Sequence, residues 1–188
     1  MAITQSAGKV AELWVFNELL KRGGSIYTPL VDEGVDAMVR TVSGHAIDIQ
    51  IKSSGGAGGK DPGWFQIGTV VPRPDYFIIG VEVKDGDPER AWVFPSMVFD
   101  AYAATPPKGS PRDLNLDGGA RKHGLPLRDL LCGFRNRWDL IINFEKYEAQ
   151  LANLEGLEDI LAMIESVESK EEEAIDIEEY EHRRSTSL

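Results

Sequence analysis

The hydrophobic pattern of this 188-residue chain begins with helical spacing and then changes to that of strands. Apolar residues recur three and four positions apart before Gly23 and Gly24, which predicts a helix over residues 4–22 that ends at the glycine pair. Either Thr4 or Ser6 is expected to cap the first turn of that helix. After the glycines the pattern alternates with period two, which predicts β-strands.

The clearest alternation lies in a hairpin over residues 35–52. Three isoleucines share one face of its second strand, so that strand is expected to be central in a sheet. These are Ile47, Ile49 and Ile51. The opposite face carries Asp48, Gln50 and Lys52 in a row, within reach of Asp36 on the preceding strand. Polar groups are costly to bury unless they pair or hold a metal, so this row is the candidate functional site.

The remainder of the body is predicted to complete a mixed sheet of five or six strands. The predicted strands cover residues 25–30, 35–40, 46–52, 64–71, 76–83 and 91–94. A short helix over residues 97–104 follows, with Ser96 as its cap. Residues 105–125 are rich in Pro, Gly and charge and are expected to form a long loop. Residues 138–142 close the body, either as a last strand or as the end of a helix.

From residue 143 the pattern is helical and strongly acidic. A narrow apolar seam, spaced by three or four residues, suits a helix that docks on the body or on a second copy of the chain. Its members are Leu151, Leu154, Leu157, Leu161 and Ile164. Residues 165–181 are too acidic to pack alone. The sequence thus predicts a core domain, residues 1–142, and an acidic helical C-terminal extension, residues 143–188.

The charge distribution changes how the net charge of −11 is interpreted. A strongly acidic chain is at first a poor candidate for nucleic-acid binding. Residues 1–140, however, carry 16 Lys and Arg against 17 Asp and Glu, whereas residues 141–188 carry 4 against 14. The acidity therefore belongs to the tail, and a nearly neutral body can still present a basic face.

Composition excludes several classes of protein. The single cysteine, Cys132, cannot form an internal disulfide, and no apolar run approaches the about 20 residues of a membrane helix, so a soluble cytoplasmic protein is expected. The three histidines share no spacing with one another or with Cys132 that would predict a zinc site. The glycine-rich segment after Lys52 lacks the spacing of a nucleotide-binding loop, so no nucleotide cofactor is expected.

Three motifs around the polar row resemble those of the PD-(D/E)xK nuclease superfamily, within the branch of archaeal-type Holliday junction resolvases and Mrr-like restriction enzymes. That branch carries a G-x-x-A-E helix, a G-x-D strand and a Q/E-x-K strand. Here they read Gly8-Lys9-Val10-Ala11-Glu12, Gly34-Val35-Asp36 and Gln50-Ile51-Lys52. Most members carry an acid where this chain has Gln50, although the Mrr-like branch often has glutamine. The resemblance covers about residues 5–95.

The resemblance implies an α/β fold with a restriction-endonuclease-like αβββαβ core and a Mg²⁺- or Mn²⁺-dependent endonuclease that acts on DNA, with branched or structured DNA among its candidate substrates. Asp36, Gln50 and the Ile51 carbonyl would be metal ligands, and Glu12 would bind or orient a metal-bound water. Lys52 would hold or deprotonate the attacking water, or neutralise charge on phosphorus. Asp48, on the same face, is either a further ligand or a partner of Lys52.

A basic segment late in the body is the candidate for phosphate contacts. Its members are Lys108, Arg112, Arg121, Lys122 and Arg128. Acidic residues alternate with them, so a salt-bridged surface is the alternative interpretation.

Two rival functions remain open. In one, Gln50 weakens the metal site and the fold serves as a nucleic-acid- or protein-binding module. In the other, the acidic tail mimics DNA and occupies the site of a partner. A homodimer is the expected assembly if the apolar seam pairs two copies.

Overall fold

The computed structural model of the chain describes most of the residues between 2 and 152. The described ranges are 2–30, 34–55, 61–68, 70–104, 107, 111–119, 121–122 and 124–152. The chain divides into the units Met1–Ala152 and Asn153–Leu188, and the second unit lies outside the described residues. The apolar seam beyond Leu151 and the acidic tail therefore stay predictions, as does the domain boundary at residue 142.

Helix α1 spans Ala2–Lys21 and begins earlier than predicted. Thr4 and Ser6 consequently lie inside its first turns, and the prediction that one of them caps the helix is wrong. The predicted end is confirmed. Gly23 adopts φ +89°, and the amides of Gly23 and Gly24 donate to carbonyl oxygens of the last turn, both at 3.0 Å. This left-handed closure is the one that glycine forms at low cost.

The strands form one large sheet and two small ones in the described part of the chain. They are β1 (Ser25–Tyr27), β2 (Ala37–Arg40), β3 (Ala46–Gly55), β4 (Trp64–Ile67), β5 (Tyr76–Lys84), β6 (Asp87–Pro95), β7 (Arg112–Asn115), β8 (Arg121–Lys122) and β9 (Leu125–Pro126). The large sheet has the order β1-β2-β3-β5-β6, in which β3 and β5 are parallel and the other neighbours antiparallel. The predicted α/β class with a mixed central sheet is confirmed.

The sequence predicted that β4 joins the central sheet, but β4 pairs with β7 instead. Strand β7 lies within residues 105–125, which the sequence predicted to be a loop. The turn-forming residues around β7 masked the strand signal of Leu114 in the sequence. Leu114 is fully buried and pairs with Phe65 of β4. No helix occurs between β3 and β5 among the described residues of that connection. The β4–β7 pair instead packs against the central sheet at Gly80, where the Phe65 ring would be the first group that an added Cβ meets.

Helices cover the isoleucine face of the sheet. Helix α1, helix α4 (Asp139–Ile142) and helix α5 (Phe144–Ala152) lie on this side. The Trp14 and Trp138 rings meet edge to face at 5.7 Å, and Phe144 meets Phe77 of β5 at 6.5 Å. Ile47, Ile49 and Ile51 have relative exposures of 0%, 0% and 6%. The predicted central position of β3 is confirmed, because β3 is the middle strand of the five. Residues 139–142 form α4, a separate short helix, so the alternative of a last strand there is wrong.

The predicted short helix is α2, Ser96–Tyr102, but Ser96 does not cap it. Its hydroxyl donates to the Arg73 carbonyl at 2.8 Å and accepts the Arg73 amide at 2.9 Å. Pro95 occupies the N-cap position without a side-chain bond. The Ser96 hydroxyl therefore fixes the segment that leads into β5.

Two short helical segments precede α4. Helix α3 spans Leu127–Leu130, and a single 3₁₀ turn spans Cys132–Phe134. None of the helices in the described ranges combines the length and apolar character needed to cross a membrane.

Gly80→Ala is expected to destabilise the fold by about 1–3 kcal/mol, the range for overpacking a core. A methyl group at Gly80 would lie 2.7 Å from the ring of Phe65, which is fully buried. Gly68→Ala is the matched control, because nothing lies within 4 Å of its added carbon and Gly68 is exposed. Urea unfolding of both variants tests this, and equal stability would contradict the packing of β4 on β5.

Candidate functional site

The polar face of β3 continues onto β5. Gln50, Lys52 and Ser54 pair in register with Ile78, Gly80 and Glu82, so their side chains share a face. This is the face opposite the three isoleucines. The predicted row of polar side chains is therefore present, with Gln50 buried and Asp48 and Lys52 half-buried.

Asp36 lies at the start of this face, directly before β2. Its amide donates to the Ile49 carbonyl at 2.9 Å, and its Oδ2 accepts the Ile51 amide at 2.5 Å. The N–H and C=O of one residue in a strand face the same neighbour, so the Ile51 carbonyl also faces the Asp36 side of β3. The structure thus brings together the acid and the Gln-x-Lys strand as the sequence predicted.

Gln50 has one polar partner that sequence reasoning missed, Tyr76. The Tyr76 hydroxyl donates to Gln50 Oε1 at 2.8 Å and lies 3.4 Å from the Gly34 carbonyl oxygen. Burial raises the pKa of Tyr76 to about 12, and the charge of Asp36 acts in the same direction. A tyrosine that begins an apolar strand was the available indication, because a buried hydroxyl needs a partner.

Glu12 lies on α1 and is paired with Lys9 at 2.6 Å. The hydrogen bond and charge of Glu12 raise the pKa of Lys9, and the charge of Asp36 adds to that effect. Lys9 is therefore within electrostatic range of both acids. Glu12 is half-buried, and its predicted place beside the polar row stays a prediction.

Asp48 pairs with Arg73, a residue that sequence reasoning did not select. Arg73 Nη2 lies 2.5 Å from Asp48 Oδ2, and its guanidinium lies 5.4 Å from the centre of the Tyr76 ring. The hydrogen bond to Asp48 raises the pKa of Arg73. Within the described ranges Lys52 forms no hydrogen bond or ion pair, so of the two alternatives for Asp48 the pairing with Lys52 is not observed.

The oxygen donors of this site suit a hard divalent cation. They are the Asp36 carboxylate, the Ile51 carbonyl and the Gln50 amide oxygen, which can accept one bond besides that from Tyr76. The part of the chain that the structure describes contains no cluster of three or more His, Cys, Asp or Glu side chains that could hold a metal. A divalent cation at these oxygens would therefore have few protein ligands, and water or substrate would complete its coordination.

The sequence was compared with family models, curated proteins and solved structures. No family model and no curated protein matches it. Among solved structures, the chain is similar to a bacterial homing endonuclease, I-Ssp6803I, with 24% identity and a TM-score of 0.48. The alignment covers 77% of this chain and 95% of that chain.

The basic segment is only partly within the described residues. Lys108 lies outside them, and Arg121 and Lys122 form β8, with side chains that are not described. Arg112 donates to the Asp100 carbonyl at 2.6 Å and pairs with the Asp100 carboxylate. For these four residues and for Arg128, phosphate contact stays a prediction.

Arg128 is ion-paired with acidic residues of the chain. Its guanidinium donates to both oxygens of Asp117, at 2.6 and 2.5 Å, and lies 2.8 Å from Glu82. The hydrogen bonds that Arg128 donates to Asp117 raise the pKa of Arg128 further above its ordinary value. For Arg112 and Arg128, the salt-bridged surface that the sequence offered as an alternative describes the contacts observed.

Proposed function

We propose that this chain is a metal-dependent DNA endonuclease of the PD-(D/E)xK type. The observation that carries the proposal is the hydrogen bond from the Ile51 amide to Asp36 Oδ2, at 2.5 Å. It places a carboxylate directly against the strand that carries Gln50 and Lys52. An acid beside β3, a carbonyl oxygen and an amide oxygen on β3, and an amine one residue further on form an arrangement suited to phosphodiester hydrolysis.

The residues of this chain have distinct proposed roles. Asp36, Gln50 and the Ile51 carbonyl would hold Mg²⁺ or Mn²⁺, which when bound supplies Lewis acidity and lowers the pKa of a coordinated water. Lys52, which has no partner among the described residues, would hold the attacking water or neutralise the charge that develops on the phosphate. Glu12, already paired with Lys9, would orient a water at the rim of the site.

Cleavage of a panel of DNA substrates tests this function directly. Branched, flap, single-stranded and linear duplex DNA are each incubated with Mg²⁺, Mn²⁺ or EDTA. We expect cleavage of at least one substrate with either metal and none with EDTA. Binding without cleavage under all of these conditions would contradict the endonuclease proposal.

A binding module on the same fold is the second candidate. One observation favours it: an Asp36 oxygen and the Gln50 amide oxygen each already accept a hydrogen bond from within the protein. Such a site is satisfied without a metal, as a binding protein would require. DNA binding that is unchanged by EDTA, together with no cleavage in Mn²⁺, would identify this second function.

Phosphate contacts are proposed for Arg121 and Lys122, while the guanidiniums of Arg112 and Arg128 are ion-paired within the protein. Replacing Arg121 and Lys122 together by Ala should weaken DNA binding and reduce the slope of log affinity against log salt by about 2, one for each phosphate contact.

The matched control replaces two exposed lysines by Ala, Lys21 of α1 and Lys146 of α5. Both belong to helices on the isoleucine side of the sheet. The control removes the same charge and should leave the salt slope unchanged. Fluorescence anisotropy over a salt series measures the slope for both double variants. Equal slopes for the two variants would place the phosphate contacts elsewhere.

A further inference from the structure

We infer that Tyr76 is a positioning residue. It orients the Gln50 amide so that the amide oxygen faces the proposed metal site, beside Asp36 and the Ile51 carbonyl. This inference rests on the proposed function, because it assigns a supporting role at the same site. Neither the polar row nor the motifs of the sequence include Tyr76. Its place follows from the side-chain contacts across β3 and β5.

The contact between the two side chains is buried. Gln50 is 7% exposed and Tyr76 6% exposed, and 2.8 Å separates Gln50 Oε1 from the Tyr76 hydroxyl oxygen. They belong to neighbouring parallel strands, in which Gln50 pairs with Ile78 and Tyr76 with Asp48. The hydroxyl thus reaches Gln50 along one face of the sheet. Water is largely excluded, so a lost hydrogen bond would not readily be replaced by solvent.

The direction of this hydrogen bond decides which end of the amide faces Tyr76. The hydroxyl has one hydrogen and two possible acceptors, Gln50 Oε1 at 2.8 Å and the Gly34 carbonyl at 3.4 Å. The shorter contact is the stronger one. A hydroxyl that donates to Oε1 keeps the oxygen, not the NH₂ group, in this position, and leaves a second lone pair of that oxygen for a cation.

Tyr76 is itself held by neighbours outside the metal-binding set. The Arg73 guanidinium lies 5.4 Å from the centre of its ring and is paired with Asp48 at 2.5 Å. The backbone of Arg73 is fixed in turn by the Ser96 hydroxyl, which bonds both its amide and its carbonyl. These contacts help to hold the Tyr76 ring in place, as a residue that orients a ligand requires.

Tyr76→Phe tests the inference because it removes only the hydroxyl. The matched control is Tyr147→Phe. Tyr147 of α5 is also buried, at 2% exposure, and its hydroxyl donates to Asp139 of α4 at 2.8 Å. Two readouts are independent of cleavage. One is the affinity for Mn²⁺, from the electron paramagnetic resonance signal of the free ion. The other is the NMR signal of the Gln50 side-chain NH₂ group in metal-free protein.

We expect Tyr76→Phe to lower Mn²⁺ affinity by about 10-fold to 100-fold, the usual cost of losing a partner of a metal ligand. It should also shift the Gln50 NH₂ resonances, and Tyr147→Phe should do neither. In a Gln50→Ala background, Tyr76→Phe should cause no further loss of affinity, because its effect is transmitted through Gln50.

Three results overturn the inference: unchanged Mn²⁺ affinity in Tyr76→Phe, a Gln50 NH₂ signal that does not move, or an equal loss of affinity in the Gln50→Ala background. Failure of the proposed function is distinguishable from these. A wild-type protein that binds Mn²⁺ but cleaves no DNA refutes the endonuclease alone. A wild-type protein that binds no Mn²⁺ overturns the positioning role as well.

Discussion

Asp36→Asn is expected to abolish DNA cleavage while the fold and DNA binding are retained. The asparagine oxygen can still accept the Ile51 amide, which donates to Asp36 Oδ2 at 2.5 Å, so the local backbone contact survives. What disappears is the one carboxylate among the three proposed metal ligands. Loss of a single preorganised electrostatic group typically lowers the rate of the chemical step by about 100-fold to 1000-fold.

Rates measured against Mg²⁺ concentration, with circular dichroism and a DNA-binding assay as controls, test this result. Gln50→Glu is the informative companion, because it is nearly isosteric and can still accept the Tyr76 hydroxyl. Its added charge should preserve cleavage and lower the Mg²⁺ concentration needed for half-maximal rate. Lys52→Ala should lose cleavage. Wild-type activity in Asp36→Asn would refute the proposed site, and inactivity of Gln50→Glu would mean that Gln50 acts as an amide donor.

Glu82→Ala is expected to lower the free energy of unfolding by about 3–5 kcal/mol, the range for breaking a buried ion pair. Glu82 is 4% exposed and receives three donors. Trp92 Nε1 and Arg90 Nη1 each lie at 3.1 Å, and Arg128 Nη2 at 2.8 Å. Truncation leaves the indole N–H buried and two guanidiniums without their shared acceptor, although Arg128 keeps Asp117.

Chemical denaturation of Glu82→Ala beside Glu89→Ala measures this effect. Glu89 is an exposed glutamate of the same β-hairpin, so its removal should cost less than about 0.5 kcal/mol. Glu82→Gln should fall between the two, because an amide oxygen can still accept from Trp92. Equal stabilities of the two Ala variants would show that the Glu82 cluster does not stabilise the fold.

The cluster of Glu82, Arg128 and Asp117 also explains why residue 63 is a glycine. Gly63 adopts φ +81°, and a Cβ there would lie 2.6 Å from Arg128 Nη2 and 3.3 Å from both Asp117 and Glu82. Its amide donates to the Ser54 hydroxyl at 3.0 Å. The segment before β4 therefore passes directly over the cluster, which links the small β4–β7 sheet to the central sheet.

The sequence by itself determined the features that depend on local periodicity. Alternation at Ile47, Ile49 and Ile51 predicted β3 and its buried face, because a one-residue slip would expose all three. Gly23 and Gly24 predicted the end of α1, because few other residues adopt the required backbone angles. The polar row and its position opposite Asp36 followed from the same alternation, since the hairpin sets which side chains are neighbours.

Only the tertiary structure decided which distant segments meet. No local pattern distinguished β7 from a loop, because its pairing with β4 depends on Leu114 reaching Phe65 across almost fifty residues of chain. Ser96 had the character of a helix cap but bonds Arg73, and Asp48 bonds Arg73 rather than Lys52. A polar side chain takes the partner that folding brings nearest, and a sequence pattern specifies direction and face but not that partner.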